Sequence, residues 1–156
     1  MLKGMTASLP IRQPCPPGAC DCGRESLLDL PGADGTRLRV GLLICEDAWF
    51  EAPAADARAA GAELLAVINA SPFHQGKGGE REATMRERVL ATGLPLVYAH
   101  LVGGQDEIVF EGRSFVLDAA GELAGRAVSF QEAAFDVRLA RAAGDWTLQA
   151  PIDRAH

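Results

Sequence analysis

The 156-residue sequence contains no apolar run long enough to span a membrane. It also lacks an excess of basic residues, since its formal net charge is −6 and its pI is near 5.0. Without a basic surface the protein has little to attract phosphate groups, so we expect neither nucleic acids nor membranes as partners. The first residues lack the apolar stretch of a secretory signal peptide. We therefore expect a cytoplasmic protein whose cysteines stay reduced.

The cysteines lack the spacing of a metal site. Three of the four, Cys15, Cys20 and Cys22, lie close together without the C-x2-C pairs typical of zinc sites and without an obvious fourth ligand. We therefore expect no bound metal. Residues 1–26 are rich in proline and glycine, which predicts an irregular leader. Cys45 stands apart from this cluster.

From residue 27 onward the pattern becomes regular and predicts one α/β domain over residues 27–145, with a tail or linker over 146–156. Apolar strands are predicted to alternate with helices, an order typical of parallel strands joined by right-handed crossovers. The predicted strands are 27–30, 37–45, 63–68 and 94–101, and the helices are 53–60 and 80–92. Shorter strands at 108–110, 113–118, 123–128 and 133–137 predict antiparallel hairpins that extend the same sheet.

The clearest candidate for chemistry is the end of the predicted strand 37–45. Its apolar run delivers Cys45 next to Glu46 and Asp47, with Trp49 close behind. Open α/β sheets bind their ligands at the carboxyl ends of strands, which favours a functional thiol. Free cysteine is also a common buried apolar residue, so the local pattern leaves a purely structural role equally open.

Three later stretches also carry polar groups at or near predicted strand ends. Ser71 follows the strand 63–68, Lys77 lies in a glycine-rich loop, and Gly103-Gly104 precedes an acidic turn. A hydroxyl can bind a ligand, a lysine can bind a carboxylate, and paired glycines permit close approach of the backbone. Each stretch also has an ordinary explanation as a turn, a solvated lysine or a solvated hairpin.

Taken together, these stretches resemble the glutaminase domain of glutamine-dependent NAD+ synthetase, within the carbon–nitrogen hydrolase (nitrilase) superfamily. The similar runs are L-L-I-C-E-D-A-W over residues 42–49, N-A-S-P-F-H over 69–74 with Lys77, and L-V-G-G-Q-D-E-I-V-F-E-G-R-S-F-V over 101–116. The C-E-D-x-W run marks the superfamily, whereas V-G-G-Q-D-E with N-A-S-P-F marks this branch. The likeness extends from about residue 27 to residue 137.

The resemblance implies an α-β-β-α sandwich that pairs with a second copy of itself, and glutamine as the substrate of a Glu–Lys–Cys triad. Cys45 matches the nucleophile, which forms a thioester and releases ammonia. Ser71 and Lys77 match positions that hold glutamine, and we expect Glu46 and Trp49 to line the pocket. The ammonia would serve the ATP-dependent amidation of deamido-NAD+. ATP and Mg²⁺ would then belong only to a separate synthetase domain, so we expect no cofactor in this chain.

The chain departs from the family pattern in several places. The family's glutamate base lies far upstream of the cysteine, but only 44 residues precede Cys45, so we expect a sandwich that is incomplete at its N-terminal side. Lys3 is the only lysine before Cys45, and it lacks the neighbours of the family's lysine. His100 occupies a place where the family usually has asparagine. The S-G-G-x-D-S loop of the synthetase domain does not occur in this sequence.

These departures leave three functions open. The three are a glutamine amidotransferase segment, an inactive remnant that associates with itself or with a complementary fragment, and a stand-alone amidase of the same superfamily. A cysteine that lacks its base is only slightly ionised at neutral pH, which leaves the chain's own activity open. Strand edges that lack their neighbours favour association with another chain or copy.

Overall fold

The computed structural model describes residues 26–32, 35–134, 136–142 and 145–149. The predictions for the leader, including Lys3 and the cysteine cluster, lie outside these residues. The described chain forms ten strands, two α-helices and one short 3-10 helix. The strands are β1 Leu27–Pro31, β2 Arg37–Ile44, β3 Leu64–Asn69, β4 Leu96–His100, β5 Val102–Gln105, β6 Ile108–Glu111, β7 Phe115–Leu117, β8 Leu123–Arg126, β9 Arg138–Ala142 and β10 Asp145–Gln149. The helices are the 3-10 helix Cys45–Trp49, α1 Glu51–Ala59 and α2 Lys77–Thr92.

Six of the strands form one mixed sheet in the order β1-β2-β3-β4-β7-β8. The central strands β2, β3 and β4 are parallel, and α1 and α2 provide their two crossovers. The outer pairs β1–β2, β4–β7 and β7–β8 are antiparallel. The α/β prediction is therefore confirmed. Because β2 and β3 are parallel neighbours, the residues that follow them meet at one edge of the sheet.

The helices cover one face of this sheet and form the larger core with it. Alternate strand residues point to this face, as the two-residue period of a strand requires. The buried side chains include Leu43, Leu65, Val67, Leu96 and Phe115 from the strands and Met85 and Val89 from α2. Gly41 permits the close approach of α1, because a Cβ there would lie 2.8 Å from the Cβ of Ala57. Neither α-helix in the described part is long and apolar enough to cross a membrane.

The opposite face of the sheet is only partly covered. A smaller cluster of Leu38, Val40 and Leu64 packs there with Leu139 from the β9–β10 hairpin. Nearer the carboxyl ends of the strands this face is open, and Ile44 and Ile68 are 45% and 53% exposed. This sheet therefore has a covered end and an open apolar end on the same face.

Several predictions about secondary structure are wrong. Cys45 does not belong to the strand, because β2 ends at Ile44 and a 3-10 helix begins at Cys45. Strand β6 pairs with β5 in a separate hairpin instead of extending the main sheet. The predicted strand 133–137 is absent from its described residues 133–134 and 136–137, and the strand begins at Arg138 instead.

These differences have local physical reasons. The glycine pair of β5 gave no apolar alternation to indicate a strand. The sequence of β9 begins with Arg138, which breaks the apolar pattern expected of a strand. Leu139 is the β9 residue that packs against the smaller apolar cluster on the sheet. Its partner β10 occupies part of the segment that was predicted to be a tail or linker over 146–156.

Candidate active site

Cys45 lies on a tight turn between a strand and a helix. Its φ of 51° is in the left-handed region, which residues with a Cβ rarely adopt and which costs about 1–2 kcal/mol. The carboxylate Oδ2 of Asp47 accepts the backbone N–H of Ile44 at 3.0 Å and so closes the turn. Cys45 carries a free, half-buried thiol. A strained strand-to-helix turn of this kind presents a nucleophile at the end of a sheet.

Ser71 is held just beyond the end of β3. Its backbone N–H donates to Oδ1 of buried Asn69 at 2.7 Å, an Asx-type turn that fixes the start of the following loop. The Oγ of Ser71 lies 3.3 Å from Nε2 of His100, on the neighbouring strand β4. Asn69 and His100 are register partners in the parallel pair, so both strand ends contribute to this group.

Lys77 and Trp49 approach each other from different elements. Lys77 begins α2, and its Nζ lies 4.4 Å from the centroid of the Trp49 ring, a cation–π contact. The same Nζ pairs with Oε2 of Glu80 at 3.0 Å. The 3-10 helix that carries Cys45 and Trp49 also contacts both β3 and α2. The residues predicted for the site thus come from adjoining elements, and Glu46 is exposed beside Cys45.

A buried polar group that was not predicted as part of the site lies behind it. Arg81 and Glu111 are 2% and 3% exposed, and Nη1 of Arg81 donates to Oε1 of Glu111 at 2.5 Å. Tyr98 stacks on His100 with ring centroids 6.1 Å apart and on Phe115 at 4.7 Å. One sequence signal was available, since Arg81 lies four residues before buried Met85 on the inner face of α2. A charge on that face requires a buried partner.

The electrostatics couple this group to Cys45. Burial raises the pKa of Tyr98 well above its usual value, the Arg81 guanidinium opposes the rise, and negative charge on Cys45 and Glu111 adds to it. Burial also lowers the pKa of His100, with a further lowering from Arg81 that Glu111 and two backbone carbonyl groups oppose. At neutral pH Tyr98 therefore keeps its proton and the His100 ring is mostly uncharged.

The described residues contain no group of three or more histidine, cysteine, aspartate or glutamate side chains placed to hold a metal ion. The cysteine cluster at 15–22 lies outside them. The polar groups at the sheet edge are instead a thiol, a hydroxyl and an ammonium. Such groups bind and attack an organic substrate that carries a carbonyl and a negative charge.

The protein is similar to known carbon–nitrogen hydrolases. The carbon–nitrogen hydrolase family profile matches residues 10–155. The glutamine-dependent NAD(+) synthetase of Rhodobacter capsulatus is 45% identical over 119 residues, which make up 74% of this chain and 22% of that protein. The structure of glutamine-dependent NAD+ synthetase from Acinetobacter baumannii, in complex with ADP, superposes with a TM-score of 0.70 and 30% identity. That match covers 83% of this chain and 24% of the other.

A second solved relative is an amidase from Nesterenkonia sp. AN1. One of its variants matches with a TM-score of 0.55 and 28% identity over 65% of this chain and 37% of that chain. In that structure the acetamide moiety of fluoroacetamide is attached covalently to the active-site cysteine. This chain therefore spans only a fraction of the length of each relative, and it shares the nitrilase-superfamily α/β fold with them. It belongs to the carbon–nitrogen hydrolase family, and it is homologous to the glutaminase region of glutamine-dependent NAD+ synthetases.

Proposed function

We propose that the site hydrolyses the side-chain amide of glutamine through Cys45, and that the ammonia released serves the amidation of deamido-NAD+. One observation carries the proposal. Cys45 occupies a strained turn at the carboxyl end of β2, and Ser71 and Lys77 follow the end of the neighbouring strand β3. This arrangement supports Cys45 as the nucleophile and Ser71 and Lys77 as the groups that hold the amino acid.

The reaction has two steps. The Cys45 sulfur attacks the amide carbon of glutamine, the thiol proton passes to the leaving nitrogen, and ammonia departs from a tetrahedral intermediate. A γ-glutamyl thioester remains on the sulfur. Water then adds to the thioester, so glutamate leaves and the thiol is regenerated. We propose that the backbone N–H that follows Cys45 donates to the developing oxyanion.

Lys77 supplies the positive charge for the α-carboxylate of the substrate. Its present ion pair with Glu80 is weak, since the Glu80 side chain is 57% exposed and exposed pairs contribute at most about 1 kcal/mol. A substrate carboxylate can therefore replace Glu80 at little cost. The indole of Trp49 keeps the ammonium at the mouth of the site while this exchange takes place. Glu46 is exposed next to Cys45 in the chain, and we propose that it lines the pocket.

The resemblance also implies a glutamate base and a lysine, neither of which is assigned to a described residue. We propose that the full catalytic set forms in an assembly, either of two copies of this chain or with a chain that supplies the remaining residues and the synthetase domain. The open apolar end of the sheet, with Ile44 and Ile68 about half exposed, supports such an assembly. We further propose a cytoplasmic enzyme whose step at Cys45 uses no cofactor, with ATP and Mg²⁺ needed only for amidation.

The test is ammonia release from glutamine by the purified chain, together with mass spectrometry of the trapped thioester. We expect a γ-glutamyl adduct on Cys45 that Cys45→Ala abolishes and that Lys77→Ala reduces about ten-fold or more, as expected when a charged contact is lost. A variant in which Cys15, Cys20 and Cys22 are all serine leaves Cys45 as the one thiol and should still form the adduct.

Two results would contradict this proposal. If the native chain yields neither adduct nor ammonia, alone or with the homologous missing segments supplied, the chain is an associating remnant instead of an enzyme. If simple aliphatic amides react as well as glutamine and Lys77→Ala has no effect, it is an amidase of the same superfamily without selectivity for an amino acid.

A further inference from the structure

His100 is buried directly behind Ser71. Its side chain is on the helix-covered side of β4 with Tyr98, and the residue is 7% exposed. The backbone N–H of His100 donates to Oγ of Ser114 at 3.0 Å, which fixes the end of the strand. Among the described site residues, Ser71 contacts the ring through its side chain, with Oγ 3.3 Å from Nε2. A histidine placed in this way controls how the serine hydroxyl is oriented.

We propose that His100 is a positioning residue for substrate, in that its Nε2–H donates to Ser71 and leaves the Ser71 hydroxyl proton for the α-carboxylate. The inference rests on the proposed function, because it concerns how the same site holds its amino acid. A serine oxygen that already accepts one hydrogen bond can direct its own O–H outward. The alternative tautomer would make Ser71 donate to His100 and offer only lone pairs to a ligand.

The two ring nitrogens of His100 have different surroundings. Nε2 has the Ser71 oxygen within reach, whereas Nδ1 has no hydrogen-bond partner among the described residues. A neutral ring has one proton to place, and a buried N–H without a partner is more costly than a bare nitrogen without one. The proton therefore belongs on Nε2, where it has an acceptor.

The charged groups around the ring favour its uncharged form but do not change which of the two nitrogens carries the proton. Arg81 repels a proton, and Tyr98 is a neutral stacking partner at neutral pH. Glu111 and the backbone carbonyl groups of Leu101 and Ser71 attract a proton. If the ring does gain a second proton, it goes to Nδ1 and the Nε2–H remains. Ser71 thus donates towards the substrate in both states of His100.

This orientation fits the rest of the site. Lys77 places positive charge at the same edge of the sheet, where the α-carboxylate is expected. A Ser71 hydroxyl that donates adds a second contact to that carboxylate and disfavours a ligand whose ammonium group occupies the same place. His100 therefore contributes to selectivity for the charge of the ligand without touching the ligand itself.

The first measurement is the tautomer. The chain has three histidines, so the ring ¹⁵N signals of His100 can be assigned by their loss in His100→Asn. We expect Nε2 to show an attached proton and Nδ1 to show the shift of a bare nitrogen near neutral pH. A proton on Nδ1 with a bare Nε2 would overturn the proposal, whatever the activity of the chain.

The second measurement is the concentration of glutamine that half-protects Cys45 from alkylation by iodoacetamide. We expect His100→Phe, which keeps a buried ring without a donor, to raise that concentration about ten-fold. His100→Asn retains an N–H donor and should restore most of the affinity. His74→Phe changes an exposed histidine and serves as the matched control with unchanged protection.

A double-variant comparison separates positioning from general damage to the fold. If His100 acts through Ser71, His100→Phe should add almost nothing in a Ser71→Ala background. An equal ten-fold loss in both backgrounds would show a structural role and overturn the proposal. If glutamine fails to protect even the native chain, the proposed function fails, and the tautomer measurement still decides the claim about His100.

Discussion

At the scale of single residues, the backbone at Cys45 combines strain with exposure of a thiol. A residue with a Cβ at φ 51° costs free energy that the folded state has to offset elsewhere. The carboxylate of Asp47 supplies part of that offset by holding the N–H of Ile44. Strain of this kind persists where the surrounding structure enforces it.

A substitution at Cys45 can separate this strain from the chemistry. Glycine adopts a positive φ without penalty, whereas alanine retains the strain and loses only the thiol. We expect Cys45→Gly to be more stable than Cys45→Ala by about 1 kcal/mol, measured as the free energy of unfolding in urea. Equal stabilities, or a less stable glycine variant, would show that the turn at Cys45 carries no strain.

His100 gives the stability a pH dependence of known sign. Its pKa is lowered from 6.5 in the folded state, so the unfolded chain binds more protons as the pH falls below 6.5. The contribution of the neutral buried ring is therefore complete above that pH and is lost as the pH falls through the folded pKa. We expect the free energy of unfolding of the native chain to fall more steeply between pH 6.5 and 5 than that of His100→Asn. If the free energy of unfolding falls equally with pH in the native chain and in His100→Asn, the prediction is wrong.

At the scale of elements, the ion pair between Arg81 and Glu111 joins α2 to the end of β6. Both side chains are almost fully buried, so removal of one partner leaves a charge without compensation. We expect Arg81→Met to lower the free energy of unfolding by about 3–5 kcal/mol. The comparison is Arg126→Met, which removes a half-exposed partner of Glu82 and should cost no more than about 1 kcal/mol.

A double variant gives the pair a second test. Arg81→Met combined with Glu111→Leu removes both charges and should recover much of the loss, because an apolar pair needs no compensation. Urea unfolding measures the free energy of unfolding of the single and of the double variant. If the double variant is no more stable than Arg81→Met alone, the loss comes from packing and not from an unpaired charge.

The sequence predicted the parallel core well, and the reason is physical. The strands β2, β3 and β4 carry apolar side chains on both faces and so are almost continuously apolar, and Gly93 and Pro95 mark where α2 ends. The positions of Cys45 and Ser71 at this edge of the sheet were predictable because each lies just beyond the end of such a strand. The Arg81–Glu111 pair was not, because its members are 30 residues apart and meet only through the fold.

At the scale of the whole molecule, the sheet has two unequal faces. The helices cover one face, whereas the β9–β10 hairpin covers only part of the other. Ile44 and Ile68 remain about half exposed at the end where the candidate active site lies. Apolar surface next to a binding site commonly marks contact with another protein.

We expect this surface to drive association. Ile68→Lys should shift the native chain towards the monomer, because a lysine at this place must stay solvated. Sedimentation velocity at several concentrations measures the change, and Leu90→Lys on the exposed side of α2 is the matched control, since Leu90 is 61% exposed. If Leu90→Lys has the larger effect, the contact surface lies on the helix face instead.

The contact between Lys77 and Trp49 also gives the protein an optical reporter. An ammonium 4.4 Å from the centre of an indole perturbs its emission, and a substrate carboxylate that replaces Glu80 beside Lys77 would change this perturbation. The chain has one other tryptophan, Trp146, so Trp146→Phe leaves Trp49 as the single source of indole fluorescence. Titration of that variant with glutamine should then change the emission in a saturable way. Lys77→Met should abolish the change, so occupancy of the site can be followed without any turnover.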